Sequence, residues 1–278
     1  MLVMVLSPAK TLDLALPKLR TCTQPKFLEE ASILVQDLRK LTPAKLKGLL
    51  GVSDALAKLN HDRYKHFVDH ADVTSPADTF KQALFAFDGP AYKGIQADSF
   101  SDDDIAYVQD HLRILCGLYG ILRPLDLIQP YRLEMGQKFA NARGKDLYTF
   151  WGTTIASELN DLFAAADTKI LLNVASQEYF KSVDTTALDP SIEIVDVVFK
   201  DDGKIKSAFA KRARGLMVHY VATHRVTSID ALQAFNLEGY AYSAAESTAS
   251  SLVFLRSKTA LKRHQDATAP PKAKRVKQ

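Results

Sequence analysis

Short, unbroken apolar runs set between segments of helical spacing most narrow how this chain can fold. LVMVL (2–6), ALFAF (83–87), RILCGLY (113–119), KILLNV (169–174) and SLVFLR (251–256) show no polar alternation. Strands of that kind are buried on both faces, so the sheet they form needs a layer on either side. Phe27, Ala31, Leu34, Val35 and Leu38 carry helical spacing through 25–40. Thr42-Pro43 puts a capping residue before proline at a first helical position. That helix is expected to reach Leu50, stop at Gly51 and resume at Ser53 or Asp54 as far as about Phe67. Ser101 and the three aspartates after it read as a capping box opening a helix to about Leu112. Longer helices are expected over 146–165 and 211–225, the latter with cations in its first turn. Asp202-Gly203, between 192–199 and 204–209, is a hairpin signal.

Strands and helices therefore alternate irregularly. The expected class is α/β (mixed α+β), a single domain over 1–257 with a mixed sheet and surrounding helices. A content of 47% hydrophobic residues in 278 supplies a core without a disulfide or metal staple. The two cysteines, Cys22 and Cys116, stand in unrelated contexts and read as small buried apolar residues of a reduced, cytoplasmic protein. The opening apolar run is too short for a signal peptide, and no run approaches a membrane span. A cytoplasmic monomer with no membrane contact is expected.

The net charge of +4 is unevenly held. Residues 258–278 carry seven of the 36 basic residues and one of the 32 acids, leaving 29 against 31 in the remainder. That final segment lacks apolar periodicity and is expected to be a disordered basic tail. An anion site in the body must then be a local cluster.

The stretch RILCGLYGILRPLDLIQPYRLEMG (113–136) contains such candidates. Burying an unpaired charge is costly, so Arg123, Arg132 and Glu134 should be paired or face a cleft. Asp126 is a possible partner for Arg123. Tyr131, Leu133 and Met135 alternate with Arg132 and Glu134, which puts the two charges on one face as an ion pair. Lys10 in SPAKTLD follows the first strand, a frequent ligand position, but the glycines of a phosphate loop are missing. Lys145 stands in NARGKD. NVASQEYFKSV offers Asn173, Ser176, Glu178, Tyr179 and Lys181 after another strand. Ser176 is expected to cap the next short helix, and no histidine stands near to activate it. Lys211, Arg212 and Arg214 crowd an expected helix start, where the dipole disfavours cations, which points to an external anion.

The segment 42–67 resembles a helix-hairpin-helix element, with Ser53 where the pattern has its second glycine. Gly51 and Ser53 would present backbone N–H groups to a phosphate, with Lys45, Lys47 and Lys58 close by. His66 and His70, beside Asp62 and Asp69, have a metal-compatible spacing. Lys65 intrudes and a third ligand is missing, so neither metal nor cofactor is expected.

Together SPAKTLD, GLYGILRPLDLIQPYRLEMG, NARGKDLYTFWG, NVASQEYFKSV and KRARGLM resemble the YaaA family of bacterial peroxide stress proteins. The resemblance reaches to about Arg256. It implies an unusual α/β fold with a helix-hairpin-helix-like element, a positively charged cleft, binding of double-stranded DNA, and protection from peroxide by limiting free iron. The segments that carry it also hold Lys10, Arg123, Arg132, Lys145, Lys181, Lys211 and Arg214. The expectation is a DNA-binding protein of the peroxide response that reads little sequence. The rival is an enzyme acting on a small anionic substrate in the same cleft, with Glu134, Ser176, Glu178 and Tyr179 as its working groups.

Overall fold

A computed structural model describes residues 1–15, 21–73 and 79–268. Its centre is a seven-stranded sheet: β1 (Leu2–Leu6), β2 (Leu112–Cys116), β3 (Gly120–Leu122), β4 (Ile170–Asn173), β5 (Glu193–Asp201), β6 (Ala241–Tyr242) and β7 (Ser251–Arg256). The spatial order is β6-β7-β5-β4-β1-β2-β3. Strands β7, β5, β4, β1 and β2 are mutually parallel, while β3 and β6 close the two edges antiparallel. Every residue of β1 and β2 is buried, as central parallel strands require. The result is the mixed α/β fold expected from the apolar runs.

Capping chemistry sets the helices. Helix α1 spans Leu28–Arg39 and buries Ala31, Leu34, Val35 and Leu38, four of the five periodic residues. Helix α2 (Pro43–Leu50) starts on the Thr42 hydroxyl and ends at Gly51 in the left-handed region, φ 61°. Ser53 caps α3 (Asp54–Lys65), so 42–65 is an αα-hairpin. A short helix α4 (Pro90–Ile95) leads to α5 (Asp102–His111), which has the expected capping box between Ser101 and Asp104. Among the described residues no helix is long and apolar enough to cross a membrane.

Four sequence expectations need correction. Residues 83–86 of ALFAF form a helical turn, and only Phe87–Asp88 pairs as strand. The helix expected over 146–165 is two, α6 (Leu147–Trp151) and α7 (Thr154–Phe163). Gly152 divides them at φ 46°, ψ −122°, a conformation that only glycine adopts cheaply. The Asp202-Gly203 turn has one bridge, Asp201 to Lys204, and no returning strand. The chain coils instead into α8 (Ser207–His224). Lys211, Arg212 and Arg214 thus lie one to two turns inside α8, and the dipole argument for an external anion lapses. The fourth correction is at the C-terminus. Lys258–Thr268 is helix α9, because its Ala260, Leu261 and His264 stripe lies against the body. Residues 269–278 of the expected tail fall outside the described residues.

Helices α4, α5 and α8 pack together beside β1 and β5. Close approach is built in. A Cβ on Gly215 of α8 would stand 1.8 Å from the Ala91 carbonyl oxygen of α4.

Candidate functional site

Neighbouring strands β1 and β4 send the chain in opposite directions. From β1 the next sheet strand is β2, on one side; from β4 it is β5, on the other. Connections that diverge in this way open a crevice at the carboxyl ends of the strands, where α/β sheets bind ligands. The two loops at this point begin with Ser7 and with 174–176. The Ser7 hydroxyl donates to the Ser176 hydroxyl at 3.2 Å, and the Ser176 amide donates to Ser7 Oγ at 2.9 Å. Ser176 therefore spends its side chain across the crevice and does not cap the short helix Gln177–Phe180. Beneath it, Tyr92 of α4 donates to the Ser7 carbonyl at 3.2 Å.

Lys10 leaves the same loop and meets Glu134 at 2.8 Å. Arg132 meets the other oxygen of that carboxylate at 3.1 Å. Two cations thus share one carboxylate, which is only 15% exposed. The alternation read in 130–136 holds: Tyr131, Leu133 and Met135 are buried while Arg132 and Glu134 turn the other way. Arg132 also keeps its Nε buried without a hydrogen-bond partner. The backbone here passes directly against Gly117, the residue after β2, because Gly117 has no side chain. A Cβ on it would stand 2.4 Å from the Leu133 carbonyl oxygen.

A further chain of contacts extends the rim. The Gly136 amide donates to Glu178 Oε1 at 3.0 Å, and Tyr148 donates to the Glu178 carbonyl at 2.9 Å. Lys181 lies 4.8 Å from the centre of the Tyr148 ring. Asp146 sits near both Lys145 and Lys181. Its carboxyl is held below the ordinary range, first by the Thr149 amide and hydroxyl and further by those two lysines. Asn173 donates to Asp196 at 2.7 Å at the same edge.

Below the crevice lies a buried thiol. Cys116 Sγ contacts the Tyr131 hydroxyl at 2.8 Å and accepts from the Tyr119 amide at 3.3 Å. Burial pushes this thiol up to about 11. Burial likewise raises the phenol of Tyr179, which is buried and offers no free ring for stacking.

Lys10, Arg132, Glu134, Lys145, Ser176, Glu178 and Lys181 are therefore gathered along one edge. Four predicted cations are not part of that group. Arg123 lies by the amino end of β2, tied to Asp126 at 3.1 Å and to the Gln24 carbonyl at 3.1 Å. Asp126 is buried and accepts from the Arg123 amide, so this pair closes a turn. Arg212 is held by Glu238 through Nε at 2.8 Å. Arg214 makes no side-chain hydrogen bond or ion pair among the described residues, and desolvation lowers its pKa. Lys211 is exposed on α8. Gly51 and Ser53 are exposed at the hairpin tip, at the far end of α3 from Tyr64, whose hydroxyl donates to the Arg132 carbonyl. His66 Nδ1 pairs with the Asp62 carbonyl at 2.8 Å, as a helix-end contact.

Ser7, Tyr92, Gly117 and Gly136 were not singled out from sequence. Ser7 had a signal: like Ser176, it is the first hydroxyl residue after a buried strand. The glycines became legible only when the backbone crossing them was in view.

A family model described as peroxide stress protein YaaA matches residues 1–246, which cover β1 to β6 and all of the carboxyl-edge site. With that extent of match and these motifs, the chain belongs to the family of the peroxide stress protein YaaA.

Proposed function

We propose that this member of a peroxide-stress family binds double-stranded DNA through its phosphates, with little base reading, and so limits iron-driven oxidative damage to DNA. The hairpin 42–65 is the observation that carries the proposal. Left-handed Gly51 turns the chain so that the first turn of α3, whose leading amides have no intrahelical acceptor, is exposed beside Lys45 and Lys58. The Tyr64 to Arg132 bond ties the other end of α3 to the carboxyl edge. From hairpin tip to that bond is about 15 Å along the helix axis. Phosphates held at both places would be spaced for one duplex.

Counterion release gives the test. Affinity for an arbitrary 30-base-pair duplex should fall by at least tenfold, roughly, between about 50 and 200 mM salt. Lys45→Glu with Lys58→Glu should weaken binding to unrelated duplexes alike. Salt-independent binding, or loss on one sequence only, would overturn the proposal.

A second reading rests on a different observation. Ser7, Ser176 and the shared Glu134 carboxylate converge at the sheet's switch point, and a carboxylate there repels a duplex phosphate. This favours a small anionic substrate between Lys10 and Arg132, with Glu134 as acid or base. Saturable stabilisation by a phosphorylated small molecule, lost in Lys10→Ala while duplex binding persists, would support it.

A further inference from the structure

We propose that a hollow beside the carboxyl-edge rim binds a free nucleoside monophosphate, its phosphate on Lys181 and its planar base against Tyr148 and Phe180. The proposal goes beyond both readings above and needs neither of them.

The hollow holds about 530 Å³, and its lining includes Tyr148, Gly152, Phe180, Lys181, Ser182 and Asp184. That volume lies within the range of roughly 300 to 1,000 Å³ usual for small-molecule sites. Tyr148 and Gly152 come from NARGKDLYTFWG, and Phe180, Lys181 and Ser182 from NVASQEYFKSV. Both motifs carry the family resemblance, yet duplex contacts at the hairpin use neither.

The walls are set before a ligand arrives. The Ser182 amide and hydroxyl both donate to the Tyr179 carbonyl, at 3.0 and 2.7 Å, and the Val183 amide donates to the Phe180 carbonyl at 2.9 Å. These bonds fold 179–183 into a fixed turn. Asp184 Oδ1 accepts from the Thr186 amide at 3.0 Å and from its hydroxyl at 2.7 Å. From the other segment, Tyr148 is anchored through its hydroxyl to the Glu178 carbonyl at 2.9 Å, and its own carbonyl accepts from the Gly152 amide at 2.9 Å. Gly152 leaves its side of the hollow bare. An added Cβ would find only the Thr149 carbonyl oxygen nearby, at 3.9 Å. Walls ordered in advance lower the cost of binding.

The lining selects the ligand. Tyr148 and Phe180 are half-buried, so each leaves ring surface open. Every nucleobase has a flat face that stacks on such a ring. Lys181 is exposed, its ammonium lies 4.8 Å from the centre of the Tyr148 ring, and it makes no ion pair among the described residues. A cation beside a ring, with no carboxylate bound to it, suits a phosphate carried by an aromatic group. Asp184 supplies an acceptor for ribose hydroxyls. Lys181 is the single cation of the lining, which matches one phosphate and not a chain of them. An aromatic amino acid would also find a cation and a carboxylate here, but it is smaller and leaves more of the volume empty.

Isothermal titration of the full-length chain with adenosine 5′-monophosphate tests the site, with adenosine, inorganic phosphate, phenylalanine and a 5′-phosphorylated trinucleotide measured beside it. The monophosphate should bind saturably, one per chain, and adenosine about tenfold more weakly. Lys181→Gln alters one exposed side chain, and an unchanged melting temperature will confirm that the fold is kept. It should weaken the monophosphate about tenfold and leave adenosine as it was. Asp184→Asn, which keeps an acceptor for Thr186, should weaken both ligands alike. Absence of saturable monophosphate binding would overturn the proposal. Binding that is lost in Lys10→Ala and kept in Lys181→Gln would seat the phosphate in the crevice and overturn it too. Inorganic phosphate binding as tightly as the monophosphate would remove the base contact, and tighter binding of phenylalanine would remove the nucleotide. Tighter binding of the trinucleotide would overturn the assignment to a free mononucleotide.

Discussion

Ser7 and Ser176 stand 169 residues apart in sequence and meet hydroxyl to hydroxyl at 3.2 Å. They join the loops leaving β1 and β4, the two strands from which the chain diverges. The crevice is thus closed at its floor by a bond between its two walls. Lys10 and Glu178, a few residues beyond each serine, inherit their positions from it. Glu134 then takes Lys10 from one loop and Arg132 from its own segment, which passes against Gly117 after β2, so two distant parts of the chain converge on a single carboxylate.

Glu134→Gln tests that convergence. The change raises the local positive charge, which by itself would strengthen binding to any polyanion. It also releases Lys10 and Arg132 from their shared partner. If positioning dominates, ligand affinity falls several-fold with the fold intact, by titration and thermal melting. A gain in affinity would mean that the pair serves structure alone.

Arg214 is a partly buried cation of α8 with no hydrogen-bond or ion-pair partner among the described residues, and desolvation lowers its pKa. Such a group costs stability that an apolar side chain of similar volume does not. Arg214→Met should raise unfolding stability by roughly 1 kcal/mol, measured by the urea midpoint. If α8 contributes to anion binding, the same variant loses duplex affinity. A stabilised variant with undiminished affinity would remove Arg214 from the binding surface.

Cys116 should be inert to peroxide in the native protein. Peroxide attacks the thiolate, and with the thiol pushed up to about 11 the thiolate fraction at pH 7 is negligible. Complete burial adds a steric barrier. Mass spectrometry after brief peroxide treatment should find Cys116 unmodified unless the chain is first unfolded. Rapid native oxidation to sulfenic acid would show that this region opens.

Asp104 gives a pH dependence of known sign. Arg225 donates to it at 2.7 Å and Ser101 at 2.8 Å, and these bonds hold its carboxyl below its ordinary value of 3.8. A depressed carboxylate contributes stability above its unfolded pKa and loses it as pH falls through the lowered one. Arg225→Ala removes the largest cause. It should lower the melting temperature at pH 5 to 7 and narrow its gap to wild type below about pH 3, by melts across that range.

Much of the fold could be read from local pattern. Apolar runs without alternation announced β1, β2, β4 and β7, and Thr42, Ser53 and Ser101 marked helix starts, because burial on two faces and capping are short-range demands. The errors came where a single backbone angle or a distant neighbour decided. Gly152 divided one expected helix into two. The chain after Gly203 coiled onto the sheet and did not pair, and α9 formed on Asp202 and Glu238. The same division runs through the site. The alternation of Arg132 and Glu134 on one face is a property of extended backbone, so sequence alone determined it. Tertiary structure alone decided that Lys10 shares that carboxylate, that Arg123 and Arg212 are tied to Asp126 and Glu238, and that Ser7 faces Ser176. Those outcomes depend on which strands lie side by side, and strand order is set by the packing of the whole core, not by any local run of residues.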